Sequence, residues 1–148
     1  YCVVARINKK ANVKYSANQM YTLVNDIEAY PDFLPWCTNA TIINYGDNEL
    51  VASVSISIGK IRKIFTTQNT MRQGSSIDMK LIEGPFKKLN GEWKFQNNPN
   101  GGSIVSLEMQ FEFKNKLFRY TFGTVFKKIT NSLVDAFIER ANIIYGKL

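Results

Sequence analysis

The chain has 148 residues, 45% of them apolar and 21% charged, which is the profile of one ordinary globular domain. That apolar share is too high for a disordered chain, yet no run of about 18 uncharged apolar residues exists to span a bilayer. Histidine is absent, which removes Ser-His and Cys-His nucleophile pairs, His-ligated metals and the usual near-neutral proton shuttle.

The two cysteines, Cys2 and Cys37, are too few for a disulfide scaffold and lack metal-ligand spacing, which suits a reducing compartment. No secretory pattern follows Tyr1, so a cytoplasmic home is the default expectation. Composition alone favours a binding module over an enzyme.

Residues 2–13 alternate, Val3, Ala5 and Ile7 against Arg6, Asn8 and Lys10, which predicts a first strand. Ser16-Ala17-Asn18-Gln19 matches a capping box, and Met20, Leu23, Val24 and Ile27 follow at helical spacing. Pro31 and Pro35 break the continuation, leaving a second short helix or tight turn over residues 28–34. Period two then sets in. Residues 41–45 and 50–58 flank a hairpin turn at Gly46-Asp47-Asn48, and Val54, Ile56 and Ile58 oppose Ser53, Ser55 and Ser57. Strands are predicted at 61–71 and 76–82, and Gly84-Pro85 interrupts. Further strands follow at 89–96 and 104–113 across the turn 97–102.

A helical stripe closes the chain: Phe122, Phe126, Ile129, Leu133, Phe137, Ala141 and Ile144. Gly123 inside it marks a helix start, a bend or a close approach. A single long helix of this kind must bury its stripe against the concave face of a curved antiparallel sheet. The space between is either filled by side chains or kept as a cavity.

Charge is unevenly placed. The net is +7, but residues 1–59 carry −1, residues 60–94 carry +5 and residues 114–128 carry +5. If the fold brings the two basic segments together they form a cationic face, which attracts phosphate through counterion release; otherwise the lysines merely keep the surface solvated. No helix-turn-helix, zinc knuckle or aromatic RNA-binding signature is present, so DNA is not an expected partner.

Several segments carry a family likeness. Tyr15-Ser16-Ala17, Gln19-Met20-Tyr21 and Leu23-Val24-Asn25-Asp26 run into Tyr30-Pro31 and Phe33-Leu34-Pro35-Trp36-Cys37. Later come Phe65-Thr66-Thr67 with Asn69, and Glu83-Gly84-Pro85-Phe86-Lys87-Lys88-Leu89 with Gly91, Trp93 and Phe95. Phe111-Glu112-Phe113 and Asn115-Lys116-Leu117 complete the set. Together they closely resemble the coenzyme Q-binding, START-like (polyketide cyclase/SRPBCC) family over almost the whole chain.

The resemblance implies a helix-grip α+β fold with an elongated apolar tunnel between the sheet and the C-terminal helix. It implies two functional themes. One is binding of ubiquinone or a related isoprenoid, in support of respiration. The other, from a toxin-like bacterial branch, is binding of the large (50S) ribosomal subunit, which blocks joining to 70S and translation initiation. A small-molecule enzyme of the polyketide cyclase/aromatase type is the alternative. No cofactor is required on this reading beyond a bound polyprenyl lipid, and membrane contact is at most peripheral.

The tunnel would be lined by Val54 and Ile56, Phe65, Met79 and Leu81, Trp93 and Phe95, Met109 and Phe111, and the helical Phe122, Phe126 and Ile129; plain core is the competing reading. Lys87 and Lys88, on an expected exposed loop, and Lys60, Arg62 and Lys63, on the adjacent hairpin, are the candidate ribosomal RNA contacts. Pro31, Phe33, Pro35 and Trp36 form either a lid over the tunnel or a staple for the short helices. Asp26, Glu83, Glu108 and Glu112 have no nucleophile or base as a sequence neighbour, and Cys37 reads as buried and inert.

Overall fold

Alternation of side chains along the chain resolves into seven strands: β1 (Ala5–Val13), β2 (Cys37–Tyr45), β3 (Glu49–Ile58), β4 (Ile61–Arg72), β5 (Ser76–Glu83), β6 (Phe86–Asn97) and β7 (Ser103–Phe113). Helix α1 (Ala17–Asn25) and a 3-10 helix (Ile27–Asp32) follow β1, and α2 (Lys116–Tyr145) ends the chain. The computed structural model describes residues 5–58, 60–84, 86–114 and 116–146, the side chains of Ala5, Ile58, Ile61, Phe118, Thr121 and Phe122 excepted. Cys2 and Pro85 therefore lie outside the described residues, as does the start of the expected first strand.

The strands pair antiparallel in the order β1-β7-β6-β5-β4-β3-β2, and the sheet curves around α2. This is the helix-grip arrangement. Its core is where the inner faces of the strands meet the apolar stripe of the helix. Phe126 lies with its ring centroid 4.8 Å from both Phe86 and Phe111, and Phe137 packs edge-on against Trp93 at 5.3 Å. Such ring pairs add about 0.5–1.5 kcal/mol each beyond the area they bury.

Helix α1 covers one end of the grip. Its capping box forms as the sequence implies: Gln19 N donates to Ser16 Oγ at 3.1 Å and Ser16 N to Gln19 Oε1 at 2.9 Å. Tyr21 sets its ring edge against Phe95, and Ala17 N donates to Asn97 Oδ1 in the β6–β7 turn. Tyr145 OH donates to the Gln19 carbonyl and Tyr15 OH to Asn142 Oδ1, so the end of α2 is tied to the same corner.

Three expected boundaries shift, each for a local reason. β2 starts at Cys37 rather than residue 41, because irregularities at 37–39 and 42–44 break the period that would have revealed it. β6 starts at Phe86, so Lys87 and Lys88 stand on a strand beside a register shift, not on a loop. α2 begins at Lys116, before the apolar stripe does. Gly123 is thus inside a helix, where it passes the ring of Phe113. A Cβ there would stand 3.5 Å from Phe113 Cε2, an ordinary contact. Gly123→Ala is expected to stabilise the fold by about 1 kcal/mol, read as a rise of about 4 °C in Tm by calorimetry.

Candidate functional site

Between α2 and the inner sheet face the packing leaves a narrow cavity of about 90 Å³. Its walls come from five strands and α2, with Ile27 and Tyr30 of the 3-10 helix and Trp36 closing one side. Eight of the twelve expected tunnel residues line it: Val54, Ile56, Phe65, Met79, Trp93, Met109, Phe126 and Ile129.

Three others do not. Leu81 is half-buried against the core near Gly84; Phe95 belongs to the α1 corner with Tyr21; Phe111 is wholly enclosed by Phe86, Phe113 and Phe126. All three are inward-facing, but the cavity occupies only the middle of the grip, so facing inward is not enough to reach it. The side chain of Phe122 lies outside the described residues.

The cavity also has walls that the sequence reading did not select. Leu133 and Phe137 continue the α2 stripe, and Leu89 and Gly91 continue the inner face of β6. Gly91 has a particular effect. A Cβ there would stand 2.7 Å from Met79 Cε and 3.4 Å from Met109 Cε, so the two thioether tails fill the slot left by the missing side chain. Unbranched methionines repack easily. The interior is therefore narrow as it stands but bounded on one side by movable groups. Ligand pockets commonly begin near roughly 300 Å³, so a bulky occupant would have to displace these tails. The expected elongated tunnel is present only as this smaller hollow.

Three buried polar residues interrupt the apolar wall: Thr67 and Asn69 on β4, and Thr130 on α2. Thr67 Oγ1 donates to Asn69 Oδ1 at 3.0 Å. Thr130 Oγ1 donates within its own helix, to the carbonyls of Phe126 and Lys127. Their outward signal in sequence was weak, since Thr67 and Asn69 merely extend the inner face begun by Phe65. Tyr30 OH donates to the Val24 carbonyl, and burial pushes its phenol above the usual range, with Cys37 and Asp26 acting in the same direction. Burial likewise raises the Cys37 thiol, partly offset by its bond to the Asn39 carbonyl, which keeps it protonated and unreactive near neutrality.

A roomier depression of about 560 Å³ lies on the outer sheet face, lined by Asp78, Lys80, Glu92, Glu108 and other polar groups. It is solvated and offers an apolar molecule little. Among the described residues no group of three His, Cys, Asp or Glu gathers to hold a metal, and no helix is long and apolar enough to cross a membrane.

The cationic residues converge by topology. The β3–β4 hairpin, the β5–β6 connection and the β7–α2 junction all fall at one end of the sheet, with Ile58 opposite Ile61 and Phe86 opposite Phe113. Lys60, Arg62, Lys87 and Lys88 are exposed there and Lys63 is half-buried, with Lys114, Lys116 and Arg119 at the junction. The N-terminal end of α2, which has no acidic residue in its first turn, adds positive potential. Apolar side chains share this end: Ile64, Ile82, Leu117 and Tyr120 are all exposed, Tyr120 by 76%. Glu112 is a buried acid opposite Lys88 in the β6–β7 register.

A family model described as polyketide cyclase / dehydrase and lipid transport matches residues 13–138. The chain belongs to that family. Within it, the chain is 43% identical over 144 residues to the ribosome association toxin RatA of Escherichia coli K12, covering 97% of this chain and 91% of that protein. It is 25% identical over 138 residues to the mitochondrial coenzyme Q-binding protein COQ10 of Dictyostelium discoideum, covering 90% of this chain and 67% of that protein. The Zhui aromatase/cyclase of Streptomyces sp. R1128 shares the fold, with a TM-score of 0.84 at 14% identity, over 95% of this chain and 94% of that one.

If the methionine tails bound the cavity as the geometry shows, Met79→Ala enlarges it at a cost of about 2 kcal/mol. Added benzene, which settles into dry apolar cavities, should then raise the Tm of the variant by more than that of the native protein.

Proposed function

We propose that this protein is a non-catalytic START-like protein that docks on the large (50S) ribosomal subunit through its cationic end and interferes with subunit joining and so with translation initiation. One observation carries the reading: cations from separate parts of the chain, Lys60, Arg62 and Lys63, Lys87 and Lys88, and Lys114, Lys116 and Arg119, are delivered to one end of the sheet. Phosphate contacts need such a cluster, because each neutralised phosphate releases counterions. The exposed apolar side chains beside the cations supply contact area that charge alone does not. The name of the bacterial relatives agrees with this reading. Action in the cytoplasm follows from it.

Charge reversal tests it. The triple variant Lys60→Glu, Arg62→Glu, Lys88→Glu should cease to co-sediment with large subunits at about 100 mM salt, and the slope of log K against log salt should shrink by about 2 to 3. Unchanged co-sedimentation would remove this end of the molecule from the interface.

The cavity supports a second reading, binding of a ubiquinone-like isoprenoid in support of respiration. Its walls are apolar, and each methylene buried there contributes about 0.8 kcal/mol, so a few isoprene units displacing Met79 and Met109 supply most of a micromolar affinity. The coenzyme Q-binding name of one relative points the same way. A cyclase-type enzyme is the less supported alternative, because the titratable phenol in the wall, Tyr30, is committed to Val24. Mass spectrometry of organic extracts should find a polyprenyl quinone with the purified protein, and added short-chain quinone should quench Trp93 emission. Failure of both would end the lipid reading.

A further inference from the structure

The cavity that the second reading treats as a ligand site holds more than grease. Asn69 is 4% exposed and Trp93 3%, and both line it. The Asn69 carbonyl oxygen is engaged by Thr67 Oγ1, which fixes the amide so that its Nδ2 hydrogens remain to be placed. Among the described residues, neither Asn69 Nδ2 nor the Trp93 indole N–H has an acceptor, and neither is one of the fully enclosed unpaired polar atoms (Asn25 Oδ1, Ser103 Oγ and Arg140 Nε), so each keeps open space beside it. Donors on buried side chains are normally paired, and an indole N–H in particular nearly always finds a partner. The other hydroxyls in the wall do not compete for an acceptor. The protons of Thr67, Thr130 and Tyr30 are directed to Asn69, to the helix backbone and to Val24 respectively.

Among the described residues the wall also contains no Lys, Arg, Asp or Glu. An anionic head group inside it would stand desolvated and without a counter-charge, which is heavily unfavourable. A plain hydrocarbon would leave both donors unpaired. What the wall complements is an uncharged, largely apolar molecule that presents an oxygen acceptor.

We infer that the cavity selects its ligand by a carbonyl-type oxygen held by Asn69 and Trp93, so that it discriminates a neutral carbonyl compound from a hydrocarbon or a carboxylate of the same shape. This rests on the cavity being a ligand site, and deepens that reading by assigning head-group recognition to two residues. Asn69 and Trp93 stand on β4 and β6, so the acceptor would be gripped from either side of Met79 on β5.

Three probes on the full chain test it by calorimetry: a benzoquinone with a two-isoprene tail, the same tail on a benzene ring without oxygens, and a carboxylate-ended chain of equal length. The native protein should bind the quinone about ten-fold more tightly than the hydrocarbon and the carboxylate weakest of the three. Asn69→Leu, which keeps side-chain volume, should cut the quinone preference to about three-fold or less while hydrocarbon affinity stays within about two-fold. Trp93→Phe, which keeps an aromatic ring, should do likewise. Equal native affinity for quinone and hydrocarbon overturns the inference and leaves the cavity as an unselective apolar site. Full quinone preference retained in both variants, or tightest binding of the carboxylate, also overturns it. Binding of none of the three by the native protein overturns the inference and the ligand reading together. The native comparison needs no variant, so misfolding of either substitution does not shield the inference.

Discussion

The fold depends on the seating of α2 in the concave face of a seven-stranded sheet. Phe126 and Phe137 anchor it at two levels, the first among Phe86 and Phe111 and the second against Trp93. A lone amphipathic helix and a half-apolar sheet are each unstable in water, and each supplies the surface the other must bury. The contacts are tight where large rings meet. They slacken between the two anchors, where Gly91 removes a side chain and two methionines lean into its place. The cavity is thus a by-product of the same packing that holds the molecule together, located where ring-on-ring contact gives way to flexible thioethers.

Much of this architecture was readable from residue order. β3 and β7 alternate so regularly that both the strand and its inner face follow from hydrophobicity alone, and the capping box announces α1. Legibility failed where backbone irregularity displaced the period. The first half of β2 hides behind its irregularities, and the start of β6 follows a Gly-Pro interruption that reads as a loop although pairing has begun by Phe86. Positions facing inward were identifiable, but depth was not. Phe111 and Met109 share one face of β7, yet one is sealed among other rings and the other borders the hollow. That difference is set by what α2 places opposite each residue, which no local pattern encodes.

The polar part of the wall was illegible for another reason. Alternation along β4 places Thr67 and Asn69 on the same face as Phe65, but their polar side chains give no sign that this face stays buried so far along the strand. Buried amides at inner positions lower stability unless something satisfies them. Their presence in a core otherwise built from rings and aliphatic groups is a departure from the rule that governs its surroundings, and such departures concentrate where a protein binds something.

The cationic end and the cavity use different surfaces of the same elements. β4 carries Arg62 and Lys63 at its start and Thr67 and Asn69 further along, and at about 3.3 Å per residue Lys63 and Asn69 stand roughly 20 Å apart along the strand. Keeping charge at the hairpins leaves the described cavity wall without charged side chains, so a cationic end does not draw ions into the grip. Residues so far apart act almost additively unless a common partner joins them, so most changes at one surface leave the other nearly untouched. One scaffold can therefore carry a cationic face and an apolar interior, and lose or keep either without rebuilding the fold. Relatives named for ribosome association and for coenzyme Q binding within a single family are what that independence allows. Coupling between the two surfaces would require a ligand that alters the hairpin end itself, and the residue placed to transmit it is Phe65, whose ring borders the cavity and meets Phe86 at the start of β6, next to Lys87.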